Sequence, residues 1–298
     1  MRVGADGPTV GAVLLDRIGA QAAVLAGLDD AVREDEPDAV HRMRVACRRL
    51  RSALRTYRRL FAPGATDVLV AELRWLGAAL GRARDREVLR ERLVARAREL
   101  PAACGPERVA AEVERWGRAE YRRVRPEVVA ALDSPRRRAL ADGLAALLAE
   151  PPLRGRAERV AGRELARVAA REQRRTAERV RRALAAEDDG TAQVRDEALH
   201  DARKAAKRAR YAGETAVPVG GRAAERYVER MKAVQDVLGE HQDAVVAAAA
   251  LREQAEGSGE TFGYGVLYAQ ELAAAEAARR ELPVVWARAE KRTPARFG

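Results

Sequence analysis

Residues 41–61, HRMRVACRRLRSALRTYRRLF, hold eight arginines, one histidine and no acid. Like charges three and four residues apart on a helix repel by roughly 0.2–0.5 kcal/mol per pair. A chain that keeps such a run must offset it by packing the opposite face or by holding a polyanion against it. The apolar residues of the run are themselves periodic. At about 100° per residue, Met43, Cys47, Leu50, Leu54, Tyr57 and Phe61 fall on one stripe, and His41, Arg44, Arg48, Arg51, Arg55 and Arg58 on a second stripe beside it. Arg42 and Arg49 lie further round. A strand, with its period of two, would scatter both stripes. The segment is therefore a helix that packs by one face and presents a basic ladder some 20–25 Å long, at about 1.5 Å per residue.

The remainder of the chain favours the same class. Ala, Leu, Arg and Glu dominate, β-branched residues are sparse outside short Val pairs, and aromatics are only 4%, so helix formers prevail nearly throughout. Pro and Gly divide the sequence into helices expected near 9–33, 38–61, 66–99, 106–125 and 135–149, then 155–187, 191–214, 222–256 and 260–290. Pro151–Pro152 with Gly155 marks the expected boundary between a first helical bundle, 9–150, and a second, 155–290, with a loose tail at 291–298.

The two halves are related. HDARKAAKRARYAGE (200–214) is a shortened copy of the first ladder: His41 falls on His200, Arg44 on Arg203, Arg48 on Lys207, Arg49 on Arg208 and Arg51 on Arg210. One helix later LRWLGAALGRARD (73–85) falls on MKAVQDVLGEHQD (231–243), pairing Arg74 with Lys232, Leu80 with Leu238, Gly81 with Gly239 and Asp85 with Asp243. Two ordered matches at nearly one shift indicate an internal duplication. Short loops between antiparallel helices make each half a bundle. Lys204 flanks the second stripe, whose apolar face is Ala202, Ala205, Ala206 and Ala209. A third helix, 155–187, adds Arg163, Arg167, Arg171 and Arg174, whereas its counterpart near 10–30 offers little beyond Arg17, so the halves are unequal.

Fifty-six Lys and Arg against 45 Asp and Glu leave a net charge of +11, which favours polyanionic partners. Of these cations 52 are Arg; coding bias explains that abundance but not the exclusion of acids from 41–61. The two cysteines, Cys47 and Cys104, form no disulfide framework, and Cys47 on the apolar stripe reads as a core thiol suited to the cytoplasm. The N-terminus has no signal-peptide pattern, and the longest apolar runs, such as 244–251, are too short to span a bilayer.

Arginines repeating along a rod match a linear array of anions, and each can grip phosphate oxygens bidentately. Because the basic stripe abuts the core stripe, a groove or channel between helices is expected. A major-groove reader presents one short exposed helix, and single-strand binders need aromatic stacking platforms; only Tyr211 stands beside the second stripe. A thin, base-free polyanion fits better. All three histidines, His41, His200 and His241, lie in the matched segments without metal-ligand spacing, so His41 and His200 are expected to donate hydrogen bonds to phosphate, more strongly when protonated. Asp85 and Asp243 follow a glycine by one turn and could hold a basic side chain in place. No metal, cofactor or catalytic constellation is expected.

H-x-x-R-V-x-x-R-R-L-R-S at 41–52 and L-H-x-x-R-K-x-x-K-R-x-R-Y at 199–211 resemble the two signature helices of the CHAD family, the conserved-histidine α-helical domain. LGRARD (80–85), LGEHQD (238–243) and LDSPRRRALADGLAALL (132–148) resemble its following segments. The resemblance implies an all-α fold of two four-helix bundles related by a pseudo-two-fold. It also implies binding of inorganic polyphosphate by His41, Arg44, Arg48, Arg49, Arg51, His200, Arg203, Lys204, Lys207, Arg208 and Arg210. Arg55 extends the ladder, and Arg74 and Lys232 are weaker candidates on the next helices. With no E-x-E-x-K run at its start, the chain resembles a stand-alone member lacking the triphosphate-tunnel domain of many relatives, and granule association is one open role. Two rivals remain: a nucleoid-type nucleic-acid binder, and a scaffold whose arginines are neutralised internally by acids such as Glu72, Asp85, Glu225 and Asp243.

Overall fold

The computed structural model describes residues 3–4, 7–189, 191–255 and 261–291. Nine α-helices occupy most of these: α1 Val10–Ala26, α2 Asp29–Arg33, α3 Ala39–Thr56, α4 Asp67–Arg98, α5 Pro106–Asp133, α6 Pro135–Ala149, α7 Ala161–Asp189, α8 Ala192–Ala255 and α9 Thr261–Glu290. A ribbon of two two-residue strands, Val3–Gly4 and Gly7–Pro8, precedes them. Except for Lys291, the expected tail lies outside the described residues.

Helix starts follow local chemistry. Thr9 accepts the Ala12 N–H at 3.2 Å, and Ser134 caps α6 by accepting from Arg137 N, with Pro135 in its first turn. The expected helix over 9–33 is interrupted at Gly27, whose N–H closes on the Ala23 carbonyl. The helix expected to stop at 125 instead runs through Pro126 to Asp133.

The largest departure is α8. The sequence suggests two helices, 191–214 and 222–256; the chain stays helical past Pro218 and breaks only at Gly221 (φ 43°, ψ −135°). This positive φ is cheap for glycine and strained for other residues. Gly221 divides α8 into an N-terminal arm carrying the second basic stripe and a C-terminal arm carrying LGEHQD.

Sequence-adjacent helices pack against each other: α3 on α4, α4 on α5, α7 on α8, and α8 on α9. The stripe Met43, Cys47, Leu50, Leu54, Tyr57 and Phe61 is buried, each residue at most 3% exposed. Ala202, Ala205, Ala206 and Ala209 are buried as well, small enough to bring the N-terminal arm of α8 close to its neighbours. The two basic helices pack on each other, α3 on α8, and the Tyr57 hydroxyl donates to the Ala212 carbonyl at 3.3 Å across them. The Pro151–Gly155 junction separates the halves of the chain but not the core, because one buried cluster draws on α1 to α8 and the end of α9. A smaller cluster lies where the end of α4 and start of α5 meet the end of α8 and start of α9. Among the described residues no helix is long and apolar enough to cross a membrane.

Candidate functional site

Because α3 and the N-terminal arm of α8 bury their apolar stripes, their adjoining basic stripes converge on a cavity of about 950 Å³. α3 supplies His41, Arg42, Arg44, Arg48 and Arg49 to it, and α8 supplies His200, Arg203, Lys207 and Arg210. α4 adds Arg84, Asp85 and Arg92, and the C-terminal arm of α8 adds Gln235, Gln242 and Asp243. Nine Lys and Arg side chains here face three carboxylates, Asp38, Asp85 and Asp243. A second cavity of about 510 Å³ adjoins it, sharing Arg48, Lys207 and Tyr211. It adds Arg51, Arg55, Arg58, Arg59, Lys204 and Arg208, with Arg171 and Arg175 from α7, against only Asp67 and Glu172. Together the two make a continuous basic track.

The matched positions repeat one arrangement. Arg44 pairs with Asp85 at 3.1 Å, and Arg203 with Asp243 at 3.8 Å. A Cβ on Gly81 would stand 3.7 Å from Arg44 Nε, and one on Gly239 3.6 Å from Arg203 Nε. Each glycine thus faces the guanidinium of the matching arginine at ordinary contact distance. Burial lowers the pKa of both guanidiniums, opposed by their aspartates; both stay charged, as guanidinium does in proteins. Burial also raises the Asp243 carboxyl, against the pull of Arg203.

Lys207 has no carboxylate within 4 Å among the described residues. Burial, then the charges of Arg48, Arg203 and Arg44, push its ammonium down to about 6. Arg48, Arg51 and Arg55 also lack an acidic partner there; Arg48 Nη2 instead donates to the Tyr211 hydroxyl at 2.9 Å. Arg210 lies over the Tyr211 ring, 5.0 Å from its centroid, so this one aromatic braces two cations at the junction of the cavities.

Other cations are partly neutralised. Glu214 collects Arg17 at 2.6 Å, Arg49 at 3.1 Å and Arg210 at 3.3 Å. Glu172, buried, collects Arg171, Arg175 and, at 3.9 Å, Arg208. Of the acids named for the scaffold reading, Asp85 and Asp243 face the ladder. Glu72 instead pairs with Arg136, and Glu225 is exposed and lines neither cavity. The neutralising carboxylates that matter most, Glu214 and Glu172, were not singled out by sequence.

Arg74 is exposed on α4 and lines neither cavity, and Lys232 is exposed and pairs with Asp236 at 2.8 Å. Arg84 and Arg92 were missed although Arg84 stands inside the quoted LGRARD run; both lie on the α4 face of Gly81 and Asp85. Of the expected α7 cations only Arg171 lines the track, joined by Arg175. His200 Nδ1 lies 2.9 Å from Gln242 Oε1. Burial, then Arg84, lower the His41 pKa below its usual 6.5, which disfavours the protonated, stronger donor form in the free protein. His241 is buried beside Asp196, outside the cavity lining. Among the described residues no group of three His, Cys, Asp or Glu side chains could hold a metal. Another depression, of about 1000 Å³, sets Arg179, Arg182 and Lys204 against Asp196, Glu197 and Asp201, a balance that does not select anions.

The sequence matches the CHAD domain family over residues 16–252. It is 37% identical over 272 residues to the uncharacterised proteins MT2285 and Rv2226 of two Mycobacterium tuberculosis strains, covering 88% of this chain and 50% of each relative. The chain thus spans about half the length of those curated relatives. The fold is similar to PptA from Streptomyces chartreusis (TM-score 0.73, 25% identity, 94% of this chain and 100% of that one). It is similar too to the CHAD domain from the plant Ricinus communis (TM-score 0.72, 27% identity, 99% and 98%). An all-helical architecture, two signature helices packed on each other and a match over most of the sequence agree: this chain belongs to the CHAD family.

Proposed function

We propose that the protein binds inorganic polyphosphate along the track between α3 and the N-terminal arm of α8, as a receptor and not an enzyme. The observation that carries this reading is the set of half-buried basic side chains without carboxylate partners among the described residues, Arg48, Arg51 and Lys207, flanked by exposed Arg55, with the Lys207 ammonium pushed down by burial and then by its cationic neighbours. Half-buried like charges are costly unless an anion joins them. The track is recessed between helices, so a thin chain of phosphates reaches cations that a rigid duplex cannot. Among the described residues Tyr211 is the one Phe, Tyr or Trp lining either cavity, too few for a single strand held by stacked bases. His41 and His200 open the two stripes as hydrogen-bonding groups, and Asp85 and Asp243 hold Arg44 and Arg203 in position.

Calorimetric titration at near-physiological salt tests the reading, with long-chain polyphosphate, duplex DNA and orthophosphate as ligands. Polyphosphate should bind tightly and resist excess DNA. Arg44→Ala and Arg203→Ala should each weaken it roughly tenfold, the loss of one charge-assisted contact. Equal affinity for DNA would identify a general polyanion binder, and no binding would leave the internally neutralised scaffold.

A further inference from the structure

A third cavity, of about 710 Å³, continues the track beyond the end of α3. It shares Arg58, Arg59, Thr66 and Asp67 with the second cavity and adds Arg154 and Arg156 from the junction between the halves. The junction is strapped in place by backbone. Ala62 N–H donates to the Pro152 carbonyl, and Arg154 N–H to the Leu60 carbonyl, each at 2.8 Å. The strap sets Arg154 across from Arg58 and Arg59 independently of any side-chain contact.

Arg156 is committed to structure: its guanidinium lies 2.6 Å from Glu164, a buried carboxylate that Arg159 and Arg167 also approach. Arg58, Arg59 and Arg154 are exposed and have no carboxylate within 4 Å among the described residues. Among the described residues the one acid lining this cavity is Asp67. Thr66, 4% exposed, lines it with a hydroxyl that makes no hydrogen bond among the described residues.

We propose that this cavity is an outer anion subsite, in which Arg58, Arg59 and Arg154 take successive phosphate groups of a linear polyanion whose chain already lies in the second cavity. The proposal rests on the polyphosphate reading and deepens it by making the site selective for chain length. From His41 to the end of α3 is already about 22 Å at 1.5 Å per residue, so an oligomer filling the central cavity stops short of Arg154. A long chain gains the extra contacts.

Arg154 is the residue to change, because it lines the outer cavity alone and its backbone bond survives substitution. Long-chain polyphosphate and tripolyphosphate are titrated against the wild type, Arg154→Ala and Arg154→Glu, each variant being checked by its melting temperature. Arg154→Ala should weaken the long chain by about threefold and Arg154→Glu by about tenfold, with tripolyphosphate unchanged within about twofold. Unchanged long-chain affinity overturns the subsite, and so does an equal loss for both ligands, which would mean that Arg154 acts only through the general field. A wild type that binds no long-chain polyphosphate removes the polyphosphate reading itself, and this one with it.

Discussion

Replacing Lys207 by methionine should stabilise the free protein and abolish a proton that polyphosphate binding takes up. In the fold the Lys207 ammonium falls from an ordinary 10.5 to about 6, through burial and the fields of Arg48, Arg203 and Arg44. At pH 7.5 the side chain is then roughly 3% protonated, whereas in the unfolded chain it is fully charged. The folded value lies below the unfolded one, so the unfolded state binds more protons between pH 6 and 10.5. The Lys207 contribution to stability therefore improves as pH rises through that window and is worst below pH 6. At pH 7.5 the penalty is at most about 4 kcal/mol. Methionine keeps the unbranched stem and removes the charge, so the variant should melt several degrees higher at pH 7.5. A polyanion laid against Lys207 restores its charge, so binding at pH 7.5 should take up close to one proton. Calorimetry in buffers of different ionisation enthalpy counts that proton from the slope of observed enthalpy. Lys207→Arg, permanently charged, supplies the background from His41 and the ligand. The wild type should exceed it by about one proton at pH 7.5 and by about 0.1 at pH 5. Equal uptake in the two proteins at pH 7.5, or a Lys207→Met variant that melts below the wild type there, would refute the reasoning.

Two further outcomes concern stability. Glu271, with a fully buried side chain, accepts from Arg92 at 2.6 Å and 2.8 Å, while Glu240 covers the other edge of the same guanidinium. Because Glu240 remains, Glu271→Gln should cost about 2–3 kcal/mol in denaturant unfolding, less than stripping both partners, and polyphosphate affinity should change little. Gly221→Ala should cost about 1–2 kcal/mol. A Cβ there meets nothing within 4 Å, so the loss is purely backbone strain, and a variant as stable as the wild type would mean that α8 can straighten.

The sequence by itself determined the helical class, the buried face of α3, the alanine face of α8 and most of the cations of the track. Each of those follows from period and residue type: a 3.6-residue repeat of apolar positions allows one packing face, and the side chains beside it must border the packed neighbour. That Asp85 and Asp243 hold a basic side chain of each stripe was legible from the matched spacing, although not that the partners are Arg44 and Arg203. Helix ends were legible where a cap residue was present, as at Ser134, and not where packing overrode a breaker, as at Pro126 and Pro218. Only the tertiary structure decided which charges are spent and which remain. Glu214 gathers guanidiniums from three helices, Arg17, Arg49 and Arg210, and Glu172 adds Arg208 of α8 to its own neighbours Arg171 and Arg175; nothing local announces Arg17, Arg49 or Arg208. Nor does any local pattern bring Arg154 beside Arg59. Those outcomes depend on residues far apart in the chain meeting at a distance of a few ångströms, where Coulomb energy changes steeply. The tertiary structure alone sets those distances.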